Sequence, residues 1–556
     1  VKLSYRGINE LQAEAGFRQY GPYERAFRQA YTLSRFSPKG PGGSFTLTDI
    51  RSEQDSARRR GRWTRYEGDL YLGLGAFRPG AVVWIESRSQ AAADTLTKGS
   101  FAFWDLKPYL RLRQGRKLEA ELSWNYRFDR EWLQGLRDKS LGQTLALKAD
   151  YRPGPSAYVL ANLAWRRLDV LDTLFRSQGL DNARTVNGSV QASLADKKRI
   201  AAASFVYEVS SEQLARREIR YLEVNPGQGE YVWLDSLFNQ DGVQDIEEFQ
   251  PANNPLIANF IRVMVPTREL FPATRVGATG NLSFDLRRLW PDSARGARRL
   301  LRQVRSTTTL RVSNNRARSG EGSWQAWNPF LPPSDSSLLE GSGSFRQDLS
   351  LFQGSPAGDL RFSWTRNQSR LFLTTGDEQR GQEFFTFSQR LNLGSSRSIE
   401  VDTRSGFRYV NAAAFPARNY FIRFFETQPR VNFQFGRKLR LTAGYEYRQR
   451  VNEPEGGALS RVRIHQLSAD ARWNIRERNN LFARLELASL RQEGSPGFAA
   501  EYEMREGLKP GLNAVLRSFA TWYLLSNVEL SLTYEGRFSA AAPPVHTGRV
   551  QVRALF

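Results

Sequence analysis

The chain has 556 residues and carries 80 Lys and Arg against 57 Asp and Glu, a formal net charge of +23. It contains no Cys and only two His, His465 and His546, which excludes disulfides, thiolate nucleophiles, Cys-ligated zinc and iron–sulfur clusters and leaves little material for His-based catalysis. A polar average hydropathy coexists with 35 Phe, 20 Tyr and 13 Trp, and no apolar run approaches the roughly 20 residues of a membrane-spanning helix.

The first residues, "VKLSYRGINELQ", read as the middle of a strand, so further sequence is expected before them. A basic cluster follows in "SARRRGRWTR", with Arg58, Arg59, Arg60, Arg62 and Arg65. Next comes the clearest periodic segment, "KLEAELSWNYRFD". Leu118, Ala120, Leu122, Trp124, Tyr126 and Phe128 alternate there with Glu119, Glu121, Ser123, Asn125, Arg127 and Asp129, which is the period of a strand with one apolar and one ionic face. The same alternation returns in "KLRLTAGYEYRQR", where Leu439, Leu441, Ala443, Tyr445 and Tyr447 oppose Lys438, Arg440, Thr442, Glu446 and Arg448, and in "NVELSLTYE", residues 527–535.

These alternations hold for roughly nine to thirteen residues, the length of a tilted strand crossing a bilayer, whereas strands of soluble sandwiches run about five or six. Aromatic residues sit toward the ends of the apolar faces, where interfacial girdles place them. Short Gly, Pro and charged turns recur near residues 79, 115, 154, 197, 356, 396, 437 and 478, with longer connections at 129–141, 166–184, 313–343 and 451–460 between them. A soluble propeller has a similar repeat, but its blades use four short strands where two long ones are read here. The fold expected is an all-β, large antiparallel transmembrane barrel of about 24 strands (range 20 to 28), with tight turns on one rim and long loops on the other. Side chains do not fill a barrel that wide, so a plug, a partner or water is expected inside. The tail "GRVQVRALF" alternates Gly548, Val550, Val552, Ala554 and Phe556 with Arg549, Gln551 and Arg553, and resembles the terminal strand that outer-membrane barrels present for assembly.

One window breaks the rhythm. From Tyr221 to Ile261 there is no basic residue, while Glu223, Glu230, Asp235, Asp241, Asp245, Glu247 and Glu248 all fall inside it. The chain is therefore divided into strand regions 1–220 and 262–556 around an acidic insertion at 221–261. "NPGQGEYVWLD" before the acidic loop, "FIRVMVPTREL" after it, and the tail from "YEGRFSAAAPPVHTGRVQVRALF" resemble the C-terminal barrel region of large, mostly uncharacterised outer-membrane proteins of the Bacteroidetes type. The resemblance spans about a tenth of the chain and implies an envelope location and a large β architecture. In those proteins a Gly-x-Tyr-x-Trp-x-Asp start leads into an Asn-Gly-Asp-Gly loop.

Set against a calcium loop, Asn239, Asp241, the Val243 carbonyl, Asp245 and Glu248 fall at ligand positions 3, 5, 7, 9 and 12, with Gly242 at 6. Position 1 is Leu237, so Asp235 would have to reach round two residues. Ca2+ is the expected cofactor if the loop binds metal, since Mg2+ tolerates irregular geometry poorly; the competing reading is an acidic loop held by turns and Arg residues. Nothing fixes two of these carboxylates across a cleft as glycoside hydrolysis requires. His465 falls on the apolar series with Leu467, Ala469, Ala471 and Trp473, and His546 in a turn before the last strand, so no enzyme is expected. The basic cluster at 58–65 is read as a loop against lipopolysaccharide or a partner protein, and nucleic acid is not an expected partner. The functional expectation is an outer-membrane conduit with a wide basic lumen, plugged or partnered by lipoproteins or other envelope proteins. The rival is a non-conducting anchor for a surface or periplasmic assembly.

Overall fold

The computed structural model describes residues 2–6, 9–20, 24–54, 59–92, 95–252, 257–291, 293, 295–317, 327–330, 337–413, 415–454, 458–475, 479–525, 528–540 and 542–554. Arg58 and Phe556 lie outside them. Among the described residues the chain is all-β, with 24 strands of twelve residues or more and three short helices. It divides into two compact units, Val1–Ala195 with Ser204–Ser211, and Asp196–Ala203 with Glu212–Phe556.

In the first unit the strands from Asn9–Tyr20 to Ala183–Ala195 each pair antiparallel with the next long strand in sequence. In the second, the same meander runs from Phe260–Asp285 to Ala542–Ala554. One exception is a parallel contact, Arg217 beside Leu373. Neighbour pairing supplies every strand with its hydrogen bonds locally and needs only turns or loops between strands.

Register aligns the alternating series into faces. Leu110, Leu122, Leu147 and Leu163 form one cross-strand row, and Trp124, Leu145 and Trp165 another. Trp124 is 50% exposed and Leu122 48%, so this apolar face is an outer surface. In the second unit Tyr445, Leu467, Leu487 and Ala514 make the equivalent row, with Leu467 58% exposed.

The opposite face is ionic. Glu121 receives Lys107 at 3.0 Å and Arg111 at 2.7 Å. A recurring device is an Arg paired with an acid two residues away on the same strand face, as in Arg127–Asp129 at 2.9 Å, Arg167–Asp169 at 2.8 Å, Arg346–Asp348 at 2.7 Å and Arg484–Glu486 at 2.7 Å. Each partly exposed pair is worth about 0–1 kcal/mol. Tyr rings lie flat over glycines of the neighbouring strand on this face, Tyr71 over Gly42 and Tyr109 over Gly80. Arg78 and Arg111 stack on the two rings, at 4.5 and 4.3 Å.

Three sequence expectations change. The basic cluster is not a loop: Arg59–Leu74 is a strand, in which Arg62 meets Asp49 at 3.0 Å and Arg65 meets Glu67 at 2.8 Å. His546 sits inside the strand Ala542–Ala554, opposite Gly536, and bonds Tyr534 Oη at 2.8 Å. The expected loop at 129–141 is mostly strand, because Arg130–Asp138 and Lys139–Glu131 pairs carry the hairpin to a turn at 133–135. The charged residues that suggested a loop keep their backbone in the ladder.

The Gly80 site yields a stability test. A Cβ there would lie 2.7 Å from the Leu70 carbonyl and 2.5 Å from the Tyr109 ring, so Gly80→Ala should cost about 1–3 kcal/mol and lower the thermal unfolding midpoint. Gly115→Ala, in an open turn with no atom within 4 Å of the added Cβ, loses only its left-handed backbone preference and should be the milder change.

Candidate functional site: a helical clasp and an acidic hairpin

Near one end of the second unit the ionic face turns apolar. Ile422, Val462, Ile464, Ala488 and Leu490 continue the series that carries Glu426, Gln466, Asp470 and Glu486, and they are almost completely buried. What buries them is the connection "GSPGFAAEYEMREGLKPG", residues 494–511, whose helix Phe498–Arg505 lays Met504 on the patch. Glu506 ends the helix in the left-handed region, φ 53°, and Gly507 follows at φ 80°. A non-glycine residue there costs free energy unless its surroundings hold it.

Three arginines from two strands hold it. Arg448 and Arg450 both grip the Glu506 carboxylate, and Arg450 also meets Glu426 at 2.8 Å. Arg450 donates further to the carbonyls of Glu503 and Met504, at 2.8 and 3.2 Å, which are among the last, otherwise unpaired carbonyls of the helix. Arg408 pairs with Glu503 at 2.8 Å. The Arg450 side chain is 2% exposed, and burial of that charge is tolerable because two carboxylates and two carbonyls surround it.

The acidic window forms a second inset beside the helix. Tyr231–Trp233 pairs antiparallel with Phe249–Pro251, and the helix packs on the latter strand. The Gly-x-Tyr-x-Trp-x-Asp spacing now has a physical account. A Cβ on Gly229 would meet Phe260 backbone at 2.5 Å. Tyr231 joins an aromatic stack with Tyr221, Phe249 and Phe260. Trp233 donates to Glu248 Oε2 at 2.7 Å, and Asp235 opens the loop. Arg418 ties the hairpin to the sheet by donating to the Ile246 carbonyl at 2.6 Å and to Tyr221 Oη at 3.2 Å.

Of the six residues expected to ligate metal, Asp235, Asp241 and Glu248 converge, one carboxylate oxygen of each lying within 4.8 Å of the others. A short 3-10 turn, Asp235–Leu237, brings Asp235 round, and Gly242 N donates to its Oδ2 at 3.2 Å. Asn239 instead donates its amide to Asp241 and Asp245, at 3.0 and 3.3 Å. The Val243 carbonyl accepts from Asp245 N at 3.1 Å. His465 bonds Tyr445 Oη at 2.7 Å on the exposed apolar face, away from both insets.

The clasp was missed in sequence. Its signal is the intrusion of Val462 and Ile464 into a polar series, followed by a Gly- and Pro-bracketed segment with Ala500 and Met504 at helical spacing.

Burial pushes the Glu506 carboxyl upward, but the Arg450 and Arg448 guanidiniums outweigh it and hold it below the ordinary value of 4.5. A depressed carboxylate stabilises the fold above its unfolded value and loses that contribution as pH falls through the folded one. Protease cleavage within 494–510 should therefore be slow at neutral pH and accelerate only below about pH 4.5, and Glu506→Ala should abolish the dependence. Arg450→Ala removes the buried cation that joins Glu426, Glu506 and the Glu503 and Met504 carbonyls and should destabilise the clasp, seen as faster hydrogen exchange in the helix at neutral pH.

No family model and no curated protein matches the chain. Solved structures that align over most of it include the RagAB peptide transporter (8% identity, 93% of this chain and 73% of that chain, TM-score 0.31) and the copper transporter OprC (11%, 99% and 80%, 0.33). The siderophore receptor PiuA from Acinetobacter baumannii aligns at 8% identity over 100% of this chain and 82% of that one, with a TM-score of 0.28. Scores of this size do not mark a shared fold.

Proposed function

We propose that the chain is an outer-membrane β-barrel conduit whose polar face lines a basic passage and whose clasp narrows it. The observation that carries this reading is the exposed apolar face. Along Ser460–Asn474 that face reads Arg461, Arg463, His465, Leu467, Ala469, Ala471 and Trp473. The sequence is charged rim, aromatic-contacting His, apolar band and Trp girdle, and the eight steps from His465 to Trp473 span roughly 26 Å along the strand, about 20 Å of height at the usual tilt, against an apolar band of about 25 Å in such barrels. A contiguous apolar surface of that extent is what lipid covers. Arg51 and Arg62, facing outward at one strand end around Asp49, fit phosphate-bearing headgroups such as those of lipopolysaccharide. A lipoprotein or other envelope protein fits the loop-bearing rim.

Planar-bilayer recording tests the conduit. The full chain should give discrete steps that favour anions, as its surplus of Arg dictates, and Arg450→Ala should enlarge them by freeing the clasp. Absence of steps in both proteins, reconstituted and heat-modifiable, would leave a membrane anchor instead. A second check is the lipid face: Leu467→Arg should cost about 2–4 kcal/mol in folding titrations into bilayers, while Ser468→Arg, one residue away on the polar face, should cost much less.

A further inference from the structure

We infer that the acidic hairpin 234–248 is a Ca2+ site built from Asp235, Asp241 and Glu248, which locks the hairpin tip to its buried base. A cluster of acids alone would not carry this. The second observation is Glu248, which is 1% exposed and sits where its carboxylate is only half satisfied. Its Oε2 accepts from Trp233 Nε1 at 2.7 Å and from Asp245 N at 3.3 Å. Its Oε1 is buried without a hydrogen-bond partner, as is Asp235 Oδ1.

Among the described residues, no ion pair reaches any of the carboxylates from Asp235 to Glu248. Arg418, which ties the hairpin to the sheet, donates through Nη2 to the Ile246 and Phe249 carbonyls and Tyr221. A buried carboxylate left with an orphan oxygen beside two further acids is costly unless a cation joins them. The 4.8 Å spread of the three oxygens suits one ion at calcium–oxygen distances of about 2.3–2.6 Å. Mg2+ needs about 2.0–2.1 Å in a near-ideal octahedron, which a loop with a 3-10 turn at each end does not offer.

The donor set differs from a linear reading of the loop. Asn239 donates its amide to both Asp241 and Asp245, so it orients the exposed Asp241 carboxylate, while water completes the shell. Three protein carboxylates of unequal burial suit the weak range of extracellular modules, a dissociation constant of about 10⁻⁴–10⁻³ M. Ca2+ at about 10 mM should therefore slow proteolysis of the hairpin about 10- to 100-fold.

The test uses the full chain in detergent after chelation, with Tb3+ as the probe. Trp233 contacts a ligand directly, so excitation of Trp should give Tb3+ emission that Ca2+ displaces and equimolar Mg2+ does not. Asp235→Asn and Glu248→Gln should remove that emission and the protease protection. Asp241→Asn, at an exposed side chain that cannot unfold the base, should do the same and guards against loss of fold in the other two. Emission that Ca2+ fails to displace, emission that Mg2+ displaces equally, or emission unchanged in Asp241→Asn would each overturn the site.

Discussion

The structure depends on the register of its antiparallel ladder. Side chains alternate strictly along a strand, so a slip of one residue between Leu118–Trp132 and its neighbours would carry Trp124 to the side of Lys148 and Glu121 to the side of Leu147. The whole Leu110, Leu122, Leu147, Leu163 row would break at that strand. Both faces resist such a slip, since moving a Leu inward also moves an Arg outward. Rows of large apolar residues and Arg–carboxylate pairs thus specify the same alignment independently.

Departures from that alternation mark where the sheet does something other than separate two media. Val462 and Ile464 depart from it, and a helix covers them. Arg450 departs differently: it is a charge at the end of an ionic series that has become a buried anchor, ending the helix while it neutralises Glu426 and Glu506. The clasp and the acidic hairpin meet at Phe249–Pro251, so the loop-bearing end of this unit contains the most protein-like interior among the described residues. It has apolar contacts, capped backbone and buried charge.

Much of this was legible in the residues. The segments 118–129, 438–448 and 548–554 announce their faces because period two is the strongest local signal a strand emits, and the pairing of neighbours follows from short connections. Strand ends were not legible: Arg130, Glu131, Asp138 and Lys139 look like loop residues by type, and only their cross-strand pairing shows otherwise. The eight-residue helix Phe498–Arg505 is too short to show clear periodicity and folds because a sheet patch waits for Met504. In the acidic window, composition pointed to the right residues, but convergence of Asp235 with Glu248 depends on a 3-10 turn and on Trp233, neither of which spacing alone encodes.

The next-but-one Arg–acid pairs have a consequence for how such a chain can change length. Because Arg127–Asp129, Arg167–Asp169, Arg346–Asp348 and Arg484–Glu486 each close within a single strand, a hairpin brings its own counterions with it. Pairs that bridge strands, such as Lys107 and Arg111 with Glu121, do not travel in that way. A duplicated or deleted hairpin would keep the first kind of pair intact and would have to rebuild the second with its new neighbours.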